Sequence, residues 1–207
     1  TDADAAYRAG LDFGYPFMLK KKTMAYDGKG NAVVRSEADI QSAMERLGCS
    51  TTSGCMTSDC YAERWVAYSK ELAVMVIRAA QGTFAYPVAE TTQYKSVCST
   101  VLAPAQIPQY LIDEAVAVAT RAIDSLPVGL SGGNYGVFGV ELFLTDLSAL
   151  SSGGSLGAVG GGTGQGECIL VNEVAPRPHN SGHYTIEACD ICQVLLLCIH
   201  LYTYVCV

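Results

Sequence analysis

Apolar and polar positions along this chain follow two periods. Alternation predicts strands at PFMLKK, AVVRS, GTFAYPVAE and residues 97–104, and one or two strands across YAERWVAYSKELAVMVIRA. The runs YGVFGVELFLT and CILVNEVA predict two more strands, paired as a hairpin. A 3.6-residue period puts Leu111, Ile112, Ala115, Val116, Val118, Ala119 and Ile123 on one face of a helix from Gln109 to Leu126. Helices are also expected over residues 2–12, ended near Gly14 and Pro16, and over Glu37 to Leu47, with Ser36 as N-cap and Gly48 as C-cap. Another is expected from about His183 to Gln193, capped by Asn180 or Ser181. TMAYDGKGN and residues 48–60 read as loops. Between the last two strands, eight of the fourteen residues 153–166 are Gly, which predicts a flexible insertion far longer than a hairpin loop of ~2–5 residues. Strands and helices mix without strict alternation, so the fold class is α+β.

Composition narrows the field. Half of the 207 residues are hydrophobic, enough for a substantial core. A net charge of -7, with Lys20, Lys21 and Lys22 as the only basic run, argues against a nucleic-acid partner. Nine Cys, odd in number and irregular in spacing, read as free thiols in a reducing compartment, the cytoplasm, or a plastid in a plant or alga. CDIC falls inside an expected helix with no second pair, so it is not read as a metal site. The tail of residues 194–207 is apolar and atypical, but at 14 residues too short to span a bilayer comfortably. No membrane partner is expected.

Four segments carry chemistry. Lys20, at a strand end, precedes a loop with Gly28 and Gly30, where backbone N–H groups can approach phosphate oxygens. The same segment also reads as a hairpin turn with solvated lysines. In AERWVAYSKE, Glu71 enters a strand where it can bond a ribose hydroxyl, and the backbone of Arg64 to Val66 can meet a base edge. Glu63 and Glu71 also read as surface acids at strand starts. The third segment pairs Glu141 and Glu173, one acid on each of two adjacent strands. With Asn172 they suit magnesium bridged to nucleotide phosphates, unless each faces solvent. The fourth is the turn carrying Arg177, His179, Asn180 and His183, where Arg177 can stabilise an oxyanion or a transferring phosphoryl group.

Taken in order, YPFMLKKKTMAYDGKGN, AERWVAYSKELAVMV, FAYPVAET, APAQIP, GVFGVELF and VNEVAPRPHNSGHYTIEAC closely resemble the ATP-grasp part of phosphoribosylaminoimidazole carboxylase, the carboxyaminoimidazole ribonucleotide synthetase family, in its fungal and plant form. The resemblance runs from about Phe13 to Gln193. It implies an ATP-grasp fold, two α+β subdomains clasping the nucleotide, incomplete at both ends. Residues 1–60 would form the first subdomain and 61–193 the second, with the Gly-rich insertion at 148–166. It implies that Lys20, Ala25, Tyr26, Asp27, Gly28, Lys29, Gly30 and Asn31 hold the ATP phosphates. Glu63, Arg64, Trp65 and Val66 would line the adenine, and Glu71 the ribose. Glu141 and Glu173 would carry magnesium, with Asn172 beside them. Arg177 and the turn after it would face bicarbonate and aminoimidazole ribonucleotide. The implied reaction phosphorylates bicarbonate to carboxyphosphate and transfers the carboxyl group to the amine, in an enzyme that is a homodimer at full length. Gln93 stands where the family often has His. The chain alone is expected to bind ATP weakly and not to turn over. The alternatives are an ATP-grasp carboxylase or ligase with another acceptor, and a non-catalytic scaffold.

Overall fold

Two antiparallel sheets, each covered on one face by helix, organise the chain into two compact units. The computed structural model describes residues 3–25, 30–49, 60–94, 97–127, 135–150, 160–162 and 166–205. One unit is built on Thr1–Ala67 and the other on Tyr68–Tyr94, Cys98–Leu150 and Leu156–Val207.

The first unit contains α1 (Ala3–Phe13), β1 (Phe17–Lys21), β2 (Asn31–Val34), a 3-10 turn (Glu37–Asp39), α2 (Ile40–Arg46) and β3 (Cys60–Arg64), with strand order β2-β1-β3. Alternation sends Phe17, Leu19, Ala32, Val34 and Cys60 to one face, where they pack with Ala6 of α1 and Ile40, Ala43 and Met44 of α2. Gly14 ends α1 at φ 75, a left-handed conformation cheap only for glycine, with its N–H on the carbonyl of Gly10 at 3.0 Å. Asp39 fixes the entry to α2. Its carboxylate accepts from Arg35 N–H (3.1 Å), Ser36 N–H (2.9 Å) and the Ser36 hydroxyl (3.1 Å). Asp39→Ala is expected to cost about 1 kcal/mol, seen as a fall of a few degrees in Tm.

The second unit contains β4 (Lys70–Ala79), β5 (Gly82–Ala85), β6 (Ala89–Tyr94), β7 (Val97–Leu102), α3 (Gln109–Asp124), β8 (Gly136–Asp146), α4 (Leu147–Leu150), β9 (Gly160–Gly162), β10 (Glu167–Ala175), a 3-10 turn (Asn180–Gly182), α5 (Thr185–Ala188) and α6 (Gln193–Val205). Its strand order is β7-β6-β4-β8-β10-β9, with β5 on β4. Leu72, Val74 and Val76 lie opposite Leu142, Val140 and Phe138. This face packs on Leu111, Ala115, Val118, Ala119 and Ile123 of α3. The Arg78 guanidinium donates to the carbonyls of Ile123 (3.0 Å) and Leu126 (2.8 Å), satisfying acceptors that the end of α3 leaves open. α3 covers one face; on the other, the turn after β10 packs over Met75 and Gly139, and the acidic residues of β4, β8 and β10 lie beside it.

The structure departs from the sequence reading in four places. The division falls after Ala67 rather than at residue 60, because Cys60–Arg64 pairs with β1. GTFAYPVAE contributes to two strands rather than one, β5 and the start of β6, and both pair with β4, β5 along Val76–Ala79 and β6 along Glu71–Ala73. The helix expected from His183 to Gln193 is broken. Cys189 is extended (φ -130, ψ 149), so CDIC lies between α5 and α6 rather than inside a helix. Part of the Gly-rich insertion is a strand, Gly160–Gly162 pairing with Cys168–Leu170 at the sheet edge. The insertion's other residues from 151 to 165 lie outside the described residues, as do 50–59 of the loop at 48–60. Among the described residues, no single helix is long and apolar enough to cross a membrane.

Candidate nucleotide and metal site

In the first unit, Lys20 shares the sheet face opposite the core with Met18, and Glu63 lies across from Met18. The Lys20 side chain is 14% exposed, and its ammonium pairs directly with the Glu63 carboxylate. Its charge is therefore held at the mouth of the β1–β2 loop. Lys21 N–H donates to the Gly30 carbonyl at 2.8 Å and closes that loop at its base. Met24 takes φ 56 there, the left-handed region, rare for a long side chain. Ala25 is exposed, Gly30 is buried and Asn31 opens β2. Tyr26, Asp27, Gly28 and Lys29 lie outside the described residues. Arg64 turns away from Lys20, its guanidinium 5.3 Å from the centre of the Phe13 ring. Trp65, 40% exposed, and half-buried Val66 follow in an irregular segment with backbone groups outside any ladder.

In the second unit, a β-bulge builds the acidic pair. Val171 lies opposite Leu142, yet Glu173 lies opposite Glu141, so β10 spends one residue more than β8 at Asn172. Without that extra residue, Glu173 would share Val171's face. The bulge turns it to the face of Glu141. Asn172 reaches the same carboxylate, its Nδ2 donating to Glu141 Oε2 at 3.4 Å. Glu71 lies opposite Phe143, and Ala73 opposite Glu141, so Glu71 belongs to this face too. Three carboxylates and a carboxamide therefore share one sheet face.

The electrostatics follow from that crowding. Burial first, then the charges of Glu173 and Glu71, push the Glu141 carboxyl up to about 7, with Arg177 and the Asn172 hydrogen bond pulling less strongly the other way. The negative field reaches β7, where burial and then Glu141 and Glu71 push the Cys98 thiol up. Tyr68 donates its hydroxyl to Glu71 Oε1 at 2.5 Å and stacks on Phe143, with ring centres 4.3 Å apart and planes 3° apart. Burial and that hydrogen bond raise the Tyr68 phenol to about 12. Neither aromatic was singled out from sequence. Phe143 could have been found there, since period two puts it on Glu141's face.

The turn after β10 separates the four residues that its sequence grouped together. His179 is buried, with Nε2 3.7 Å from Glu141 Oε1 and Nδ1 2.6 Å from the Ser181 hydroxyl. Ser181 N–H donates to Nδ1 at 3.4 Å, so a neutral ring carries its proton on Nε2, facing Glu141. Arg177 is exposed and donates to the Pro178 carbonyl at 3.0 Å. Asn180 and His183 are exposed, and neither side chain bonds to the acidic pair. Among the described residues, no three His, Cys, Asp or Glu side chains form a ready-made metal cage. Magnesium needs none, because it keeps waters and takes phosphate oxygens beside one or two carboxylates.

A family profile for the ATP-grasp domain matches residues 1–194. The chain belongs to the ATP-grasp family. This ATP-grasp chain is 40% identical over 193 residues to the phosphoribosylaminoimidazole carboxylase of Schizosaccharomyces pombe, covering 93% of the chain and 29% of that protein. Carboxyaminoimidazole ribonucleotide synthase from Aspergillus clavatus, solved with ATP, is 36% identical with a TM-score of 0.74, over 95% of this chain and 43% of that one. The same enzyme, solved with ADP and 5-aminoimidazole ribonucleotide, gives 34% and 0.72, over 96% of this chain and 44% of that one. The ATP-grasp chain thus spans about 30% of the length of its curated relative and under half of the solved ones.

Proposed function

We propose that this chain supplies the nucleotide- and magnesium-binding part of an enzyme that carboxylates 5-aminoimidazole ribonucleotide with bicarbonate, driven by ATP, in purine synthesis. The observation that carries the reading is the bulge at Asn172, which sets Glu173 opposite Glu141. Two opposed carboxylates with a carboxamide beside them are a donor set for a hard cation, and burial, then the charges of Glu173 and Glu71, push one of them up to about 7. Glu141 and Glu173 would hold magnesium, with Asn172 beside them. When bound, magnesium neutralises charge on the phosphates during transfer.

Lys20 would bind phosphate oxygens, exchanging its pairing with Glu63 for theirs. Glu71 would take the ribose hydroxyls, and the backbone after Glu63 the adenine edge. In the reaction, a bicarbonate oxygen attacks the γ-phosphorus and ADP leaves. The substrate amine then attacks the carboxyl carbon of carboxyphosphate, phosphate leaves, and a carbamate remains. Arg177, exposed beside the acids, suits the anionic acceptor side. The chain's part is positioning and charge compensation, with no covalent nucleophile.

The test is calorimetric titration of the chain with ATP, with and without magnesium. Magnesium-dependent binding is expected. A folded chain whose ATP binding ignores magnesium would sink the metal assignment. In the full-length enzyme that contains this chain, ADP release stimulated by the aminoimidazole ribonucleotide, and not by other amines, separates this reading from another carboxylase of the same fold.

A further inference from the structure

Gln193 was read from sequence only as the end of a helix, yet it is fully buried. Its carboxamide bonds to both backbone groups of one residue. His179 N–H donates to Oε1 at 2.9 Å, and Nε2 donates back to the His179 carbonyl at 2.9 Å. Gln193 is itself held, its N–H donating to the Thr185 hydroxyl at 3.1 Å, while that hydroxyl donates to the Gly182 carbonyl at 2.7 Å. Gly182 makes room for this arrangement. A Cβ there would come 2.6 Å from Gln193 Oε1 and 2.7 Å from Met75 Cγ on β4. On the other side, Gly139 of β8 leaves the space that His179 fills. The imidazole is thus locked by its backbone, by Ser181 at Nδ1 and by the strand beneath it, and its remaining nitrogen faces Glu141.

We propose that Gln193 is a positioning residue: its carboxamide clamps the backbone of His179 so that Nε2 faces Glu141 and fixes the carboxylate that receives magnesium. The proposal rests on the metal reading above. A glutamine fourteen residues away serves because its amide offers one acceptor and one donor in the spacing of a peptide group: it accepts from the buried His179 N–H and gives the carbonyl, which also accepts from Gly182 N–H, a second donor. A methionine would fill the volume and bond neither group.

The test uses the chain labelled with 15N in its histidine rings, at pH 8, with the His179 signal assigned by its loss in His179→Ala. The parent chain should show His179 as the single tautomer protonated on Nε2. In Gln193→Met it should move toward the averaged pattern of exposed His183. The magnesium-dependent gain in ATP affinity should fall about tenfold, with magnesium-free affinity unchanged. In the His179→Ala background, Gln193→Met should change that gain no further, because the effect passes through the ring. Thr185→Val, which keeps the shape but frees the Gln193 N–H, guards against misfolding of the first variant and should move both readouts the same way. An unchanged His179 tautomer, or a loss of equal size without His179, overturns the proposal. Should the parent bind no ATP, the metal reading falls, and the ring signature, recorded without nucleotide, still decides the clamp.

Discussion

Glu141→Gln is expected to make the ligand-free chain more stable and to remove its magnesium-dependent ATP binding. The folded pKa of Glu141, about 7, stands above the ordinary value of 4.5. Between those values the folded chain holds a proton that the unfolded chain has released. Stability therefore falls as pH rises through that window, and the loss is complete above about 7. The shift corresponds to about 3 kcal/mol at most, and with the side chain 23% exposed a net gain of about 1–3 kcal/mol for the glutamine is reasonable. Thermal melts at pH 8 should show the variant a few degrees higher, and at pH 4 the difference should vanish. Calorimetry should give the opposite order. The variant keeps the volume and the Asn172 contact but loses the anionic donor, and magnesium-supported ATP affinity should drop by about 100-fold. A variant less stable at pH 8, or one that still answers to magnesium, would mean that Glu141 is an ordinary structural acid.

That opposition between stability and binding marks a site rather than a core. Much of the frame behind it is legible in the sequence. The 3.6 period from Leu111 to Ile123 gives α3, and the apolar runs around Glu141 and Glu173 give the adjacent strands β8 and β10. The acids stand out as charges in otherwise apolar runs, and the resemblance adds their role. The register was hidden, because alternation in ILVNEVA assigns Val171 and Glu173 to one face and a lone strand carries no sign of a bulge. The break at Cys189 was hidden for a similar reason. No Gly or Pro marks it, and it is set by distant bonds such as that of the Tyr86 hydroxyl to the Ile191 carbonyl (2.7 Å). Gly composition suggested an unstructured insertion, yet an edge strand needs only backbone, and Gly160–Gly162 supplies it. Gln193, Gly139 and Gly182 escaped notice because their meaning lies in what touches them, and those partners are far away in sequence.

Gly139→Ala puts the last of these to the test, and it is expected to destabilise the chain by about 1–3 kcal/mol. In an unconstrained strand the change would help slightly, because alanine restricts the unfolded chain more than glycine does. Here the added Cβ would come 2.6 Å from His179 Cβ and 2.8 Å from its Cγ, distances that side chains do not tolerate. Neither partner can yield cheaply. Gly139 is paired on both sides, to Met75 and to Ala175, so β8 cannot shift without breaking two ladders. His179 is held by the Gln193 carboxamide and by Gly182 N–H on its carbonyl (2.9 Å). The less costly escape is to swing the imidazole off the strand, which takes Nε2 away from Glu141. The expected result is a Tm lower by roughly 3–10 °C, with a His179 ring signature like that of Gln193→Met and the same weakening of magnesium-dependent ATP binding. An alanine that left both Tm and ring signature unchanged would show that the strand and the turn are looser than the buried contacts require, and with them the hold on Glu141.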